Sequence, residues 1–324
     1  MPWRRVHSSS DTVGWLAFVG MVLAAGTYYS FAKALSVELS PLTLVLLSEF
    51  LTATFVLFSA GAFPTIRSFL KLSRKQRLAI LGIGLTSGII APTLLFTGIH
   101  TTSAVNAALF GNTSMLFLIV LAVLFLGEKI RLRHLIANAF IIAGILCIAL
   151  RGFTEGLTLY PGDILVLLAS FFFGLGDIIF RKYLHKVHTT VIVLGRSAIA
   201  IIGVLFFSSL VPSAGTLAEV RSLPWEFLGI LLGFGFISRF LNVFCFYQAL
   251  DRLPVGTLSV FSNLTVVSSM TFAHLFLKET IHAYQYTGGA LIICGAVLLE
   301  LLNGRFHSEE QHASHLEQSR AHRV

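Results

Sequence analysis

Ten apolar runs, separated by prolines, glycines and clusters of charge, account for most of this chain. They are roughly Trp15–Leu35, Pro41–Ala60, Leu78–Ile99, Ala104–Leu126, His134–Leu150, Pro161–Phe180, Val191–Val211, Glu226–Ala249, Pro254–Leu277 and Ala283–Leu301. Each approaches the ~20 residues with which a helix crosses a hydrocarbon core about 30 Å thick. Composition points the same way. Hydrophobic residues make up 56% of the chain and charged residues 12%, against about 25% charged in a typical soluble domain. The chain reads as an all-α membrane protein with ten transmembrane helices. Pro41, Pro161 and Pro254 each open a run, where a missing N–H costs little.

The basic N-terminus MPWRRVHSSSD precedes a full-length run with no small-residue cleavage site, which reads as a retained first span and not a signal peptide. Cys147, Cys245 and Cys294 all fall within apolar runs. Three scattered cysteines build neither a disulfide framework nor a metal site, so they read as small apolar residues.

Lysine and arginine set the orientation. With the N-terminus in the cytoplasm and ten spans threaded, 17 of the 23 fall on the cytoplasmic side and 4 on the other, while Arg196 and Arg239 stay within spans. Both termini are therefore expected in the cytoplasm. The net charge of +8 follows from this bias, and no nucleic-acid partner is needed to explain it.

Two apolar runs end in nearly the same letters, FLGEKI at 125–130 and FLKETI at 276–281. An offset of 151 residues lays Leu81, Gly82, Gly84 and Ser87 on Leu232, Gly233, Gly235 and Ser238. The same offset lays Phe110, Asn112, Glu128 and Gly144 on Phe261, Asn263, Glu279 and Gly295. Upstream, an offset of 148 lays Gly14, Gly26 and Lys33 on Gly162, Gly174 and Arg181. Chance matching of apolar sequence would scatter Leu and Phe matches, not Asn, Glu and paired Gly at fixed spacing. The chain therefore reads as two five-helix units, 1–150 and 151–302, followed by a disordered cytoplasmic tail, 303–324. Five is odd, so the second unit enters the membrane from the opposite side. Inverted repeats of this kind bind substrate near the midplane, between the halves, and work by alternating access.

This plan resembles the EamA family of the drug/metabolite transporter superfamily. The resemblance rests on the 5+5 repeat, the Leu-Gly-Glu or Leu-Lys-Glu after the fourth helix of each half, and a fifth helix holding Gly144 or Gly295. It implies a secondary transporter, an exporter or exchanger of a small metabolite such as an amino acid or related organic solute. It implies neither an enzyme nor a cofactor. A polytopic membrane enzyme is the rival reading, yet there is no HExxH, GxSxG or phosphate-cradling loop. A channel-like protein without gradient coupling is another; it would retain the symmetry but should show a ring of like-charged or carbonyl-rich residues.

Ionisable groups inside a span are the first candidates for a substrate or coupling site. Glu49 lies about 12 Å in from Pro41, and Arg239 about 20 Å in from Glu226 on the same side, a gap their side chains can close. They are expected to form an ion pair lining the central cavity, which a substrate anion or a proton can break. A purely structural pair is the alternative. Asp177 precedes Arg181 by one helical turn, so an ion pair near the cytoplasmic end explains it. Arg196 lies about 9 Å in from Thr190, where its stem can snorkel back to water. Asn112 and Asn263 occupy equivalent positions and can either bond across helices or face substrate. Tyr28, Tyr29, Asn242, Tyr247 and Gln248 add polar groups to apolar spans.

Pro92, with Gly84 and Gly88 before it, marks the third span as a bending gate element or a static packing kink. Glu128 and Glu279 read as caps for the helix that follows each. His274 is placed at the outer interface. The basic loop 61–77 is expected to rest on anionic lipid. His307, His312, His315 and His322 in the tail match no metal-site spacing. Expected partners are the bilayer, a small-molecule substrate and, as a candidate coupling ion, the proton. The chain is expected as a monomer or homodimer in a bacterial cytoplasmic (inner) membrane.

Overall fold

The structure is a computed structural model, and it describes residues 8–127, 132–149, 160–184, 187–210, 216–250, 264–295 and 297–298. Among the described residues the secondary structure is helical throughout. The first span is built from α1 (Ser8–Gly26) and α2 (Tyr28–Leu35), the second from α3 (Pro41–Ala60). A short α4 (Ala62–Leu70) leads to the third span, which combines α5 (Arg74–Ile83), a π-helical segment (Gly84–Ile90) and α6 (Ala91–Thr101). The fourth is broken into α7 (Ala104–Gly111) and α8 (Ser114–Leu126), and α9 (Leu132–Ala149) closes the first half.

The second half repeats the plan. It runs through α10 (Pro161–Tyr183), α11 (Thr189–Leu210), a short α12 (Thr216–Ser222), α13 (Trp225–Gly233), a second π-helical segment (Phe234–Leu241) and α14 (Asn242–Leu250). It continues with α15 (Leu264–Leu277) and a helix over 283–295, here α16. Seven helical stretches among the described residues are long and apolar enough to cross a membrane. Helices α9, α15 and α16 overlap the fifth, ninth and tenth runs, parts of which, including 254–263 and 299–301, lie outside the described residues.

Helix ends follow their sequence signals. Ser40 caps α3 ahead of Pro41, its Oγ accepting from the Thr43 N–H. Ser73 and Gln76 form a reciprocal capping box at α5. A proline is not what the two π-helical segments have in common. Pro92 follows the first segment, and Val243 stands at the equivalent place after the second. What the two segments share is position, since an offset of 151 lays Gly84–Ile90 on Gly235–Leu241. The widened turn is a property of the repeat, and such turns recur at functional sites.

The halves interlock. The first span packs on α14 and α15, and its equivalent α10 packs on α6 and α8, while α3 lies against α11. Small residues permit this approach, as they do in membrane helix pairs generally. A Cβ added at Gly98 would stand 2.7 Å from the Gly162 carbonyl oxygen, and one at Gly144 would stand 2.6 Å from that of Gly288. Phe96, Phe110 and Phe234 are fully buried at the centre, with Tyr28 tilted against Phe234 at 5.3 Å. Leu16, Phe58, Phe206 and Phe276 stand exposed on the outside, as a lipid-facing surface requires.

Candidate functional site: a shared ion cluster at the end of a cavity

Glu49 is the hub. It sits on α3 with 1% of its surface exposed, too deep to remain charged without partners. Arg239, on the second π-helical segment, donates to its Oε1 at 2.5 Å. Arg196, on α11, donates to Oε1 and Oε2 at 3.3 and 3.4 Å, and the Ser197 hydroxyl donates to Oε2 at 2.5 Å. Arg239 is held on its other side, where Nε donates to Thr52 Oγ1 at 2.9 Å and the Tyr28 hydroxyl lies within hydrogen-bonding reach. Arg196 is held more loosely. Its side chain keeps 23% exposure, and its buried Nε has no hydrogen-bond partner among the described residues.

The cluster is assembled from both halves at related positions. The offset of 148 lays Ser48 and Glu49 on Arg196 and Ser197, so Glu49 bonds to its own repeat equivalent. Arg239 corresponds to Gly88, whose added Cβ would lie 3.3 Å from both Arg196 Cγ and Ala200 Cβ. The backbone is thus repeated while the charge is not. One half supplies the carboxylate and the other supplies both guanidiniums.

Arg239 also lines a cavity of about 130 Å³ between α3, α11 and the second π-helical segment with α14. Thr52, Ser59, Thr189, Thr190 and Gln248 give it hydroxyl and amide groups, and Val193, Phe240 and Phe244 give it apolar wall. Ser59 and Thr189 lie at the ends of their helices on the face where α1 begins, here the N-terminal face. Glu49, Thr52, Val56 and Ser59 follow one another along one side of α3, and Thr189, Val193 and Arg196 do the same on α11. The ion cluster therefore sits at the deep end of the cavity.

The expected Glu49–Arg239 pairing is present as geometry. Arg196 does not snorkel; its head turns inward to Glu49, because a buried carboxylate with two guanidiniums outbids a path to water through apolar side chains. Asp177 is exposed and lies within Coulombic reach of Arg196 first and Arg181 second, so the pair with Arg181 is half the account. Among the described residues Asn112 makes no cross-helix bond. Its Nδ2 donates to the Ala108 carbonyl at 3.1 Å, at the break between α7 and α8.

Tyr29 reaches that break too, since a Cβ on Gly111 would meet its hydroxyl at 1.9 Å. Asn242 is half-buried at the start of α14. Asn263, the side chain of Tyr247, Glu128 and the tail histidines lie outside the described residues. Gly84 and Gly88 do allow close approach, to Ile199 and to Ala200 with Arg196. His274 is exposed, its Nδ1 2.8 Å from the Glu279 carbonyl oxygen. Ser197, Thr52 and Tyr28's contact with Arg239 were not singled out from sequence, although the offset that aligns Gly26 with Gly174 also aligns Glu49 with Ser197.

Glu279 corrects an expectation. It does not cap the helix after it; its two carboxylate oxygens accept from the N–H groups of Ala104 and Val105 at 2.8 and 3.0 Å. It therefore caps α7, in the other half, because the chain turns back before α16 and presents the carboxylate to the nearest unsatisfied helix start.

A profile of the EamA-like transporter family matches residues 12–150 and again 160–301. The chain belongs to the EamA-like transporter family. A protein of Methanothermobacter thermautotrophicus named an uncharacterized transporter is 28% identical over 232 residues, 71% of this chain and 66% of its own length. The Bacillus subtilis uncharacterized transporter YetK is 23% identical over 288 residues, 86% of this chain and 82% of its own. A solved crystal structure superposes at a TM-score of 0.55 with 17% identity, covering 92% of this chain and 99% of that one. That last likeness is one of fold alone.

Proposed function

We propose that this EamA-like protein is a secondary transporter that moves a small organic metabolite, such as an amino acid or related solute, by alternating access. The observation that carries the reading is the cavity that ends on a charge cluster built jointly by the two halves. A rocking of one half against the other must remake that cluster, so binding there and conformational change are coupled. In this shape the cavity opens towards the N-terminal face, which we take as cytoplasmic. Arg239 and Arg196 suit an acidic group of the substrate, since a guanidinium offers planar, paired donors. Phe240, Phe244 and Val193 suit an apolar body. With Glu49 protonated, both arginines become available to such an anion, which makes the proton a candidate coupling ion.

The test is uptake and efflux of a labelled metabolite panel in vesicles holding the reconstituted protein. Flux of at least one acidic or zwitterionic member is expected in wild type, with a loss of tenfold or more in Arg239→Ala and Glu49→Gln that still purify as folded protein. Equal flux in wild type and both variants would move the site elsewhere. Flux of no panel member above protein-free vesicles would oppose transport of this class of solute.

A further inference from the structure

The face opposite the cavity is closed by polar contacts of two kinds, partly buried helix-end caps and a buried network, and only one kind is repeated. The first kind is helix-end capping. Lys33 Nζ donates to the carbonyl oxygens of Ile99 and Thr102 at 2.5 and 2.8 Å, closing the end of α6, while Glu279 caps α7. Both residues recur in the repeat, Lys33 as Arg181 and Glu279 as Glu128. The second kind is a network around Asp163, which is 2% exposed. Thr102 Oγ1 and Asn106 Nδ2 both donate to Asp163 Oδ1, the latter at 3.5 Å, and the Tyr160 N–H donates to Oδ2 at 3.2 Å. Gln285 Nε2 donates to Asn106 Oδ1 at 2.6 Å. This ties the ends of α6, α7, α10 and α16 together.

The equivalents of Asp163, Asn106, Thr102 and Gln285 are Trp15, Thr257, Leu253 and His134. No carboxylate and no amide occupies any of them. We propose that the Asp163 network is an asymmetric latch that holds the face opposite the cavity shut. The duplicated caps serve either closed face, and the unduplicated network sets the resting preference for the cavity-open shape. Two inverted halves would otherwise leave the two shapes close in free energy, and a buried, fully partnered polar network present in only one of them biases the equilibrium towards it. The inference rests on the alternating-access reading.

The experiment is hydrogen–deuterium exchange on the full chain in lipid nanodiscs, comparing wild type with Asp163→Leu and, as a milder disruption, Gln285→Leu. The latch predicts slow exchange over residues 99–110 in wild type. It predicts at least a tenfold faster exchange there in either variant, with slower exchange over 189–197 as the cavity side closes. Unchanged exchange at 99–110 would overturn it, as would faster exchange at both faces together, which marks unfolding and not a shift of shape. Because exchange is read without substrate, an absence of flux alongside the predicted shift would sink the transport reading and leave the latch standing.

Discussion

Glu49 carries the account at the scale of the residue. Its two oxygens accept from two guanidiniums and a hydroxyl, so removing its charge leaves Arg239 and Arg196 facing each other without compensation. Breaking a buried pair from one side costs about 3–5 kcal/mol. Arg239→Ala is therefore expected to lower the thermal unfolding midpoint in detergent, whereas Ser197→Ala, which leaves both charges paired, should cost about 1–2 kcal/mol.

A second carboxylate responds to pH in a known direction. Glu219, on α12 outside the spans, loses hydration on burial, but hydrogen bonds from Thr43 and Ser40 outweigh that loss and hold its pKa below 4.5. Its stabilising contribution is present above 4.5 and fades as pH falls through the lower folded-state value. Acidification below pH 4.5 should accordingly speed amide exchange at the start of α3 in wild type and much less in Glu219→Gln. Sequence depth alone brought Glu49 and Arg239 within reach of each other. It misjudged Arg196 because depth measures distance to water and carries no record of which face of α11 meets α3.

Elements add what no single residue shows. Two π-helical segments at equivalent positions place Arg239 on one side and Gly88 on the other. Neither was legible in sequence, because a π turn has no composition of its own and Pro92, the visible signal, has no counterpart after the second segment. Close helix contacts were partly legible, as the matching of Gly144 with Gly295 marked the fifth helix of each half. The actual partner of Gly144 is Gly288, two turns before the aligned glycine on the same face of α16.

That contact is testable. Gly144→Ala would press a methyl against the Gly288 carbonyl and Ile292, and overpacking of this sort costs about 1–3 kcal/mol. Gly229, with nothing within 4 Å of an added Cβ, should accept Ala with no loss and a gain of up to about 1 kcal/mol. Unfolding midpoints of the two variants, measured side by side, decide it. Glu279→Ala removes the acceptor for two N–H groups of α7, and a cap of that kind is worth about 0.5–2 kcal/mol.

For the whole molecule, the answer to why FLGEKI and FLKETI recur is that each ends the fourth helix of a half, and the second copy reaches across to cap the fourth helix of the other. The repeat was legible from spacing because polar and glycine positions survive in it. The asymmetry was not, because it resides in which repeated backbone positions carry charge: Glu49 against Ser197, Arg239 against Gly88, Asp163 against Trp15. The central claim is that the cavity ending on this cluster is exposed to each face in turn. Val193 lines the cavity one turn from Arg196, so a Val193→Cys variant reports its exposure. The deciding measurement is the rate of Val193→Cys alkylation by a membrane-impermeant thiol reagent added to one face at a time, with and without a transported solute. The account predicts labelling from the N-terminal face at rest and labelling from the opposite face once solute is present. Labelling confined to the N-terminal face under both conditions would contradict it.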